Sequence, residues 1–189
     1  MTRKIIIITA PSGSGKTTLV KDLLERLPRL AFSISACTRS PRAGEIDGRD
    51  YYFLSLADFE EKLAKGEFLE SEMVYPGKYY GTLKSELNRI WENGQFPLVD
   101  IDVKGALRIK RQFQGESLSI FIKAPSIETL EQRLRHRGTE TEDTLLERLK
   151  KADYELSFAP EFDYLLVNDD LGQAKEELYR RIEHFIGCN

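Results

Sequence analysis

The chain has 189 residues, 41% hydrophobic and 31% charged, with a formal net charge of −3. That length fits one domain able to bury its own core, and the composition excludes a disordered chain or a disulfide scaffold. The slightly acidic balance gives no electrostatic reason to expect a nucleic-acid polymer as partner; the longest apolar runs are too short to span a bilayer, so a cytoplasmic protein, monomer or homodimer, with no membrane attachment is expected.

Short β-branched runs alternate with longer segments of helical period, which predicts an α/β domain with a largely parallel sheet. Core strands are expected over 4–9, 30–35, 96–101, 117–123 and 164–167. Helices are expected to begin near Lys16, Thr82, Val103, Ser126, Thr141 and Leu171. Right-handed crossovers bring the carboxyl ends of such strands to one edge, where ligands bind. The stretch 35–80 breaks the alternation with turn signals (SPRAGEIDG, YPGKYYG) and strand-like aromatics (DYYF) around one short helix, and reads as an insert. RLRHRGTETEDTLLERLKK is strongly charged, shows no apolar face in its first half, and reads as a solvated flap. Cys37 and Cys188 are the two cysteines and suggest neither a disulfide framework nor a thiolate metal site.

Ala10-Pro11-Ser12-Gly13-Ser14-Gly15-Lys16-Thr17 follows the first strand and opens a helix. It matches the phosphate-loop pattern G-x-x-x-x-G-K-[ST] except for Ala10 in the first position, where a left-handed backbone would disfavour alanine. In such a loop successive N–H groups wrap an anion and the helix dipole adds positive potential. Lys16 reaches the β- and γ-phosphates, and the Thr17 hydroxyl binds Mg²⁺. A Gly/Ser turn with a merely solvated Lys16 is the alternative; the order strand, loop, GKT, helix speaks against it. FPLVDID ends a second apolar strand in Asp100 and Asp102, either of which suits Mg²⁺ through water, while Asp102 equally suits a helix cap.

The insert holds Arg39 and Arg42 around a proline, with Tyr51 downstream. Two guanidinium forks and a phenol suit one phosphate, and scattered surface arginines are the alternative. At these residues the chain resembles the guanylate kinases, which move the γ-phosphoryl group of ATP to GMP. The matching stretches are APSGSGKTT, FSISACTRSPRAGEIDGRDYYF, FLE at 68–70, KYYGT at 78–82, DIDVKGA, the RGTETE flap and VNDDL. They occur in family order over nearly the whole chain.

The resemblance implies a P-loop NTPase fold, three-layered α/β/α. Its core would be 1–34, 86–125 and 159–189, with a mixed α/β GMP-binding module over 35–85 and a helical lid over 126–158. It implies that Arg39, Arg42, Tyr51 and Tyr80 hold the GMP phosphate and that Ser35, Glu70, Thr82 and Asp102 recognise guanine. It further implies that Lys16, Arg39, Arg137, Arg148 and Asp100 serve catalysis with Mg²⁺. Arg133, Arg137 and Asn168 join residues 10–17 around ATP, with an N-cap role for Asn168 or Asp169 equally open. The products would be ADP and GDP, in purine nucleotide metabolism and GMP recycling, with dGMP also accepted.

The guanine assignment is chemically sound. N1–H and N2–H₂ are adjacent donors that one carboxylate accepts together, whereas adenine would turn an acceptor toward the charge. Hydroxyls at Ser35 and Thr82 donate to guanine O6. Thr82 stands where many family members have serine and keeps the hydroxyl. Cys37 stands where threonine is frequent, as either a reactive thiol beside Arg39 or a small buried strand residue. SEMVYPGKYYGT is one residue longer before KYYG than the usual family form.

Overall fold

The computed structural model describes residues 3–136 and 142–187. In chain order these form β1 (Ile5–Thr9), α1 (Lys16–Arg26), β2 (Leu30–Phe32), β3 (Ala36–Cys37), β4 (Tyr52–Phe53), α2 (Leu56–Ala64), β5 (Phe68–Tyr75) and β6 (Lys78–Leu83). There follow α3 (Lys84–Glu92), β7 (Phe96–Asp100), α4 (Val103–Gln112), β8 (Ser117–Lys123), α5 (Ile127–His136), α6 (Glu142–Leu156), β9 (Tyr164–Val167) and α7 (Leu171–Gly187).

The four consecutive isoleucines of β1 are fully buried. Because strand side chains alternate in direction, Ile6 and Ile8 pack with α1 and α7, while Ile5 and Ile7 pack with α3 and α4. Burying each isoleucine stabilises the fold by about 2 kcal/mol, so β1 belongs at the centre of a sheet covered on both faces. The observed order is β2-β7-β1-β8-β9, with every neighbouring pair parallel. This is the expected three-layer α/β/α arrangement, and it puts the loop after β1 beside the end of β7.

The insert has its own sheet, β4-β3-β6-β5. Phe59 of α2 is fully buried against it and stacks on Phe68 with ring centroids 4.3 Å apart. Ser55 caps α2, accepting from the Asp58 N–H at 3.1 Å. The hairpin of β5 and β6, where an extra residue was expected before KYYG, carries an irregularity near its end. Met73 faces Tyr79 and Tyr75 faces Lys78, so Val74 bulges, and the pairs Glu72–Tyr80 and Glu70–Thr82 keep their register.

Several boundaries differ from the sequence reading. The strand expected over 30–35 stops at Phe32. The Ser33 N–H still donates to the Leu98 carbonyl at 2.9 Å, after which the chain leaves for the second sheet. The helix expected near Thr82 begins at Lys84, because Thr82 is a strand residue paired with Glu70. The helix expected near Ser126 begins at Ile127, with Ser126 Oγ accepting from the Thr129 N–H at 3.2 Å. The helix start placed at Thr141 lies outside the described residues, as do Arg137 and Cys188. The flap is also less solvated than its charges suggest: Leu134 is fully buried and forms an apolar cluster with Leu130, Leu145 and Ala152.

Candidate active site

The loop from β1 to α1 turns on two left-handed residues, Gly13 (φ 91°) and Gly15 (φ 88°). A Cβ on Gly13 would come within 3.1 Å of Leu134, and one on Gly15 within 2.3 Å of the Asn168 carboxamide. Both positions therefore disfavour side chains by conformation, Gly15 by a close approach as well, and Gly13 by tight contact with Leu134. Among the described residues no other residue type has a positive φ, so Ala10 sits in ordinary backbone and its departure from glycine costs no strain. Gly15 is the N-cap of α1, whose first turn carries no acidic residue, leaving the positive end of the helix dipole to an anion. Lys16 Nζ donates to Asp100 Oδ1 at the end of β7. A cleft of 360 Å³ lies over this loop, bordered also by Thr17, Arg148, Lys151 and Glu155. Burial pushes the Glu155 carboxyl above its usual range, against the pull of Lys151 and Lys16.

The flap helices reach the same loop. Arg148 Nη1 donates to Ser12 Oγ at 3.0 Å, a contact that helical spacing alone does not give. Arg133 Nη2 donates instead to the Asn168 carbonyl at 3.0 Å. Asn168 is buried, and its Nδ2 donates to the Ser14 carbonyl at 2.8 Å, fastening the end of β9 to the phosphate loop. The cap of α7 is neither Asn168 nor Asp169. It is Asp170, whose Oδ1 accepts from the Gln173 N–H at 2.8 Å. Asp102 is the N-cap of α4, with Oδ1 accepting from Lys104 and Gly105 N–H at 2.9 and 3.1 Å, so the capping role left open for it is filled. Its exposed side chain also borders the clefts on either side.

A second cleft of 300 Å³ opens between the insert and the core, and shares Ile101 and Asp102 with the first. Ser35, Glu70, Tyr51 and Tyr80 line it. Glu70 is 6% exposed, and Thr82, buried beside it, donates its hydroxyl to Glu70 Oε1 at 2.8 Å. Desolvation pushes the Glu70 carboxyl up to about 7. The Thr82 hydroxyl opposes this and the charge of Asp102 assists it. Tyr51 and Tyr80 meet edge to face at 6.1 Å, and the Arg39 guanidinium lies 4.7 Å over the Tyr51 ring. Arg39 is clasped by both oxygens of Glu45 at 2.6 and 2.7 Å, and the Arg42 N–H donates to the same carboxylate at 2.7 Å. The Arg42 side chain is exposed. Hydrogen bonds from Arg39 and the Arg42 N–H hold Glu45 well below the usual carboxylate range.

Cys37 is fully buried in β3, and burial pushes its thiol up, so of its two readings the small strand residue holds. The structure thus gathers Ser35, Arg39, Tyr51, Glu70, Tyr80, Thr82 and Asp102 about one cleft and Lys16, Thr17 and Arg148 about the other, with Asp100 lining the former and bonded to Lys16 of the latter.

The family model described as guanylate kinase matches residues 2–185. The chain belongs to the guanylate kinase family. A guanylate kinase of Bacteroides fragilis is 46% identical over 186 residues, covering 98% of this chain and 91% of that protein. One of Salinibacter ruber is 46% identical over 184 residues, 97% of each chain. The crystal structure of guanylate kinase from Anaplasma phagocytophilum superposes with a TM-score of 0.75 at 30% identity, covering 97% of this chain and 86% of that one.

Besides Asp170, the acidic residues Glu45, Glu155 and Glu86 escaped the sequence reading. Glu45 had a usable signal, its place three residues after Arg42 in TRSPRAGE. Glu155 and Glu86 had none, since each sits in a charged helical stretch and only tertiary packing buries it.

Proposed function

We propose that the two clefts hold ATP and GMP, with the γ-phosphoryl group passing between them where they meet at Ile101 and Asp102. The protein is an ATP:GMP phosphotransferase of the guanylate kinase family. The observation that carries the acceptor assignment is Glu70, a buried carboxylate with one oxygen hydrogen-bonded by Thr82 in a cleft whose mouth carries Arg39, Tyr51 and Tyr80. A purine with adjacent donors matches that carboxylate, and a phosphate matches the guanidinium and phenols.

In this reading the inward N–H groups of 10–17 and the Lys16 ammonium bind the triphosphate, while Arg39, Arg42, Tyr51 and Tyr80 bind the GMP phosphate. Ser35, Glu70, Thr82 and Asp102 read guanine, with the Thr82 hydroxyl, which donates its one proton to Glu70, placing that carboxylate rather than donating to guanine O6 as the sequence reading expects. An oxygen of the GMP phosphate attacks the γ-phosphorus, the bond to the β,γ-bridging oxygen breaks, and ADP and GDP leave. The protein's task is alignment and charge neutralisation, since the transfer needs little covalent help. Arg148, already at the loop, supplies positive charge over the transferring group, and Arg137, outside the described residues, is proposed for the same role. Arg133 and Asn168 hold the loop from behind, close to where the adenine end of ATP would lie.

Thr17 and Asp100 fit a Mg²⁺ ion by the chemistry of their donors: the hydroxyl stands in the first turn of α1 and the carboxylate is bonded to the neighbouring Lys16, and both are hard oxygen ligands of the kind that ion takes. Bound with ATP, the ion would supply charge neutralisation at the phosphate oxygens. The residue ranges 35–85 and 126–158 are proposed as the moving module and lid, whose closure excludes water and so suppresses ATP hydrolysis. Among the described residues no helix is long and apolar enough to cross a membrane; a cytoplasmic location is part of the proposal.

A coupled assay with ATP and Mg²⁺ tests the reading. GMP and dGMP should be turned over and AMP, CMP and UMP poorly. Equal rates for all bases would defeat the guanine assignment.

A further inference from the structure

Glu86 stands in the first turn of α3, and its side chain is 0% exposed. Its oxygens take four hydrogen bonds from three segments. Oε1 accepts from the Ile34 N–H at 3.0 Å and from Arg89 Nη2 at 2.8 Å. Oε2 accepts from the Tyr52 hydroxyl at 2.8 Å and from Arg89 Nε at 2.9 Å. Burial pushes the carboxyl up, but Arg89, the Ile34 N–H and the Tyr52 hydroxyl outweigh it and hold it below its usual range. The positive end of α3 adds to this, so the group is an anion at neutral pH.

The two distant partners are the neighbours of residues assigned to GMP. Ile34 is where the chain leaves the parallel sheet, one residue before Ser35. Tyr52 follows Tyr51, and its N–H donates to the Ser35 carbonyl at 2.9 Å. A buried carboxylate is a poor way to gain stability, since apolar packing of the same volume often does as well or better. Retaining one with every bond made suits a demand for orientation.

We infer that Glu86 is a positioning residue for the acceptor cleft, fixing Ile34 and Tyr52 so that the Ser35 hydroxyl and the Tyr51 phenol face one nucleotide together. The inference rests on the assignment of Ser35 and Tyr51 to GMP. Glu86 touches no substrate, and its effect falls on GMP rather than on ATP.

The test is steady-state kinetics with GMP and ATP varied separately, for the wild type, Glu86→Gln, Tyr52→Phe and a control, Leu87→Ala. Leu87 is a buried neighbour on the same helix with no polar link to the insert. Glu86→Gln keeps the shape and one acceptor but places an amide against Tyr52 and Arg89. It should raise the KM for GMP about tenfold and leave the KM for ATP within about twofold. Tyr52→Phe should shift the GMP value in the same direction by about threefold. Leu87→Ala should lower the Tm without changing the ratio of the two KM values. Unchanged GMP kinetics in Tyr52→Phe, which removes a single hydrogen bond and keeps the ring, would overturn the inference even if Glu86→Gln failed to fold. So would GMP and ATP values that rise together in Glu86→Gln. Absence of GMP turnover by the wild type would instead contradict the underlying assignment, and with it the inference.

Discussion

The Thr82 hydroxyl donates to Glu70 Oε1 at 2.8 Å across adjacent strands of the insert, with both side chains buried. One lone pair of the carboxylate is thereby used from within the protein and the other oxygen is left to a ligand. Glu70→Gln would turn an amide toward the guanine donors. The expected result is a loss of about 100-fold or more in kcat/KM for GMP, with the KM for ATP changed by less than about threefold. Steady-state assays with each substrate varied in turn check this.

The same carboxyl gives a pH prediction. Desolvation raises it to about 7 in the ligand-free protein, and only the ionised form accepts both guanine donors. Below that pH the proton must leave before GMP binds, so the KM for GMP should rise as pH falls, approaching about tenfold per unit well below pH 7. Glu70→Gln should flatten that limb of the profile. For folding the sign is opposite. The folded-state value lies above the unfolded one, so the stability contributed by this group is present below the usual carboxylate range and is lost as pH rises through about 7. Thermal melts across that window, with and without GMP, should show the loss and its reversal by the nucleotide.

Arg148 reaches Ser12 of the phosphate loop from α6. Its charge should matter most when the phosphoryl group is in flight, so Arg148→Ala is expected to lower kcat by about 100- to 1,000-fold with little effect on GMP binding. Single-turnover rates separate this from product release. A fall confined to nucleotide affinity would contradict the role.

Asn168 ties the end of β9 to the Ser14 carbonyl at 2.8 Å. Asn168→Ala leaves that carbonyl without its donor and should cost about 1–3 kcal/mol of stability. ATP affinity should weaken with the loop, while GMP affinity, read by calorimetry, should stay near the wild-type value.

Much of this was legible in the sequence, for physical reasons that can be named. The four isoleucines before the phosphate loop announce a strand covered on both faces, because no half-exposed strand tolerates such a run. Gly13 and Gly15 mark left-handed backbone, whereas Ala10 needed none. Arg39, Arg42 and Tyr51 read as a phosphate site from their residue types and order, whereas the guanine readers came from the family resemblance, since Glu70 alone reads as a surface carboxylate. What stayed hidden depends on contacts between distant segments. Thr82 looks like a helix start until its partner strand is seen, and Leu134 looks solvated among arginines until Gly13 and Leu145 close over it. Glu86 and Asp170 declare themselves only through the N–H groups they accept. Helical period and composition are blind to such pairings.

The central claim is that guanine is read by a buried carboxylate within the inserted module. A crystal structure of the protein with bound GMP tests it most directly. The account predicts the base edge against Glu70 and Thr82 and the phosphate among Arg39, Arg42, Tyr51 and Tyr80. A nucleotide seated anywhere else, or one whose base turns away from Glu70, would contradict it.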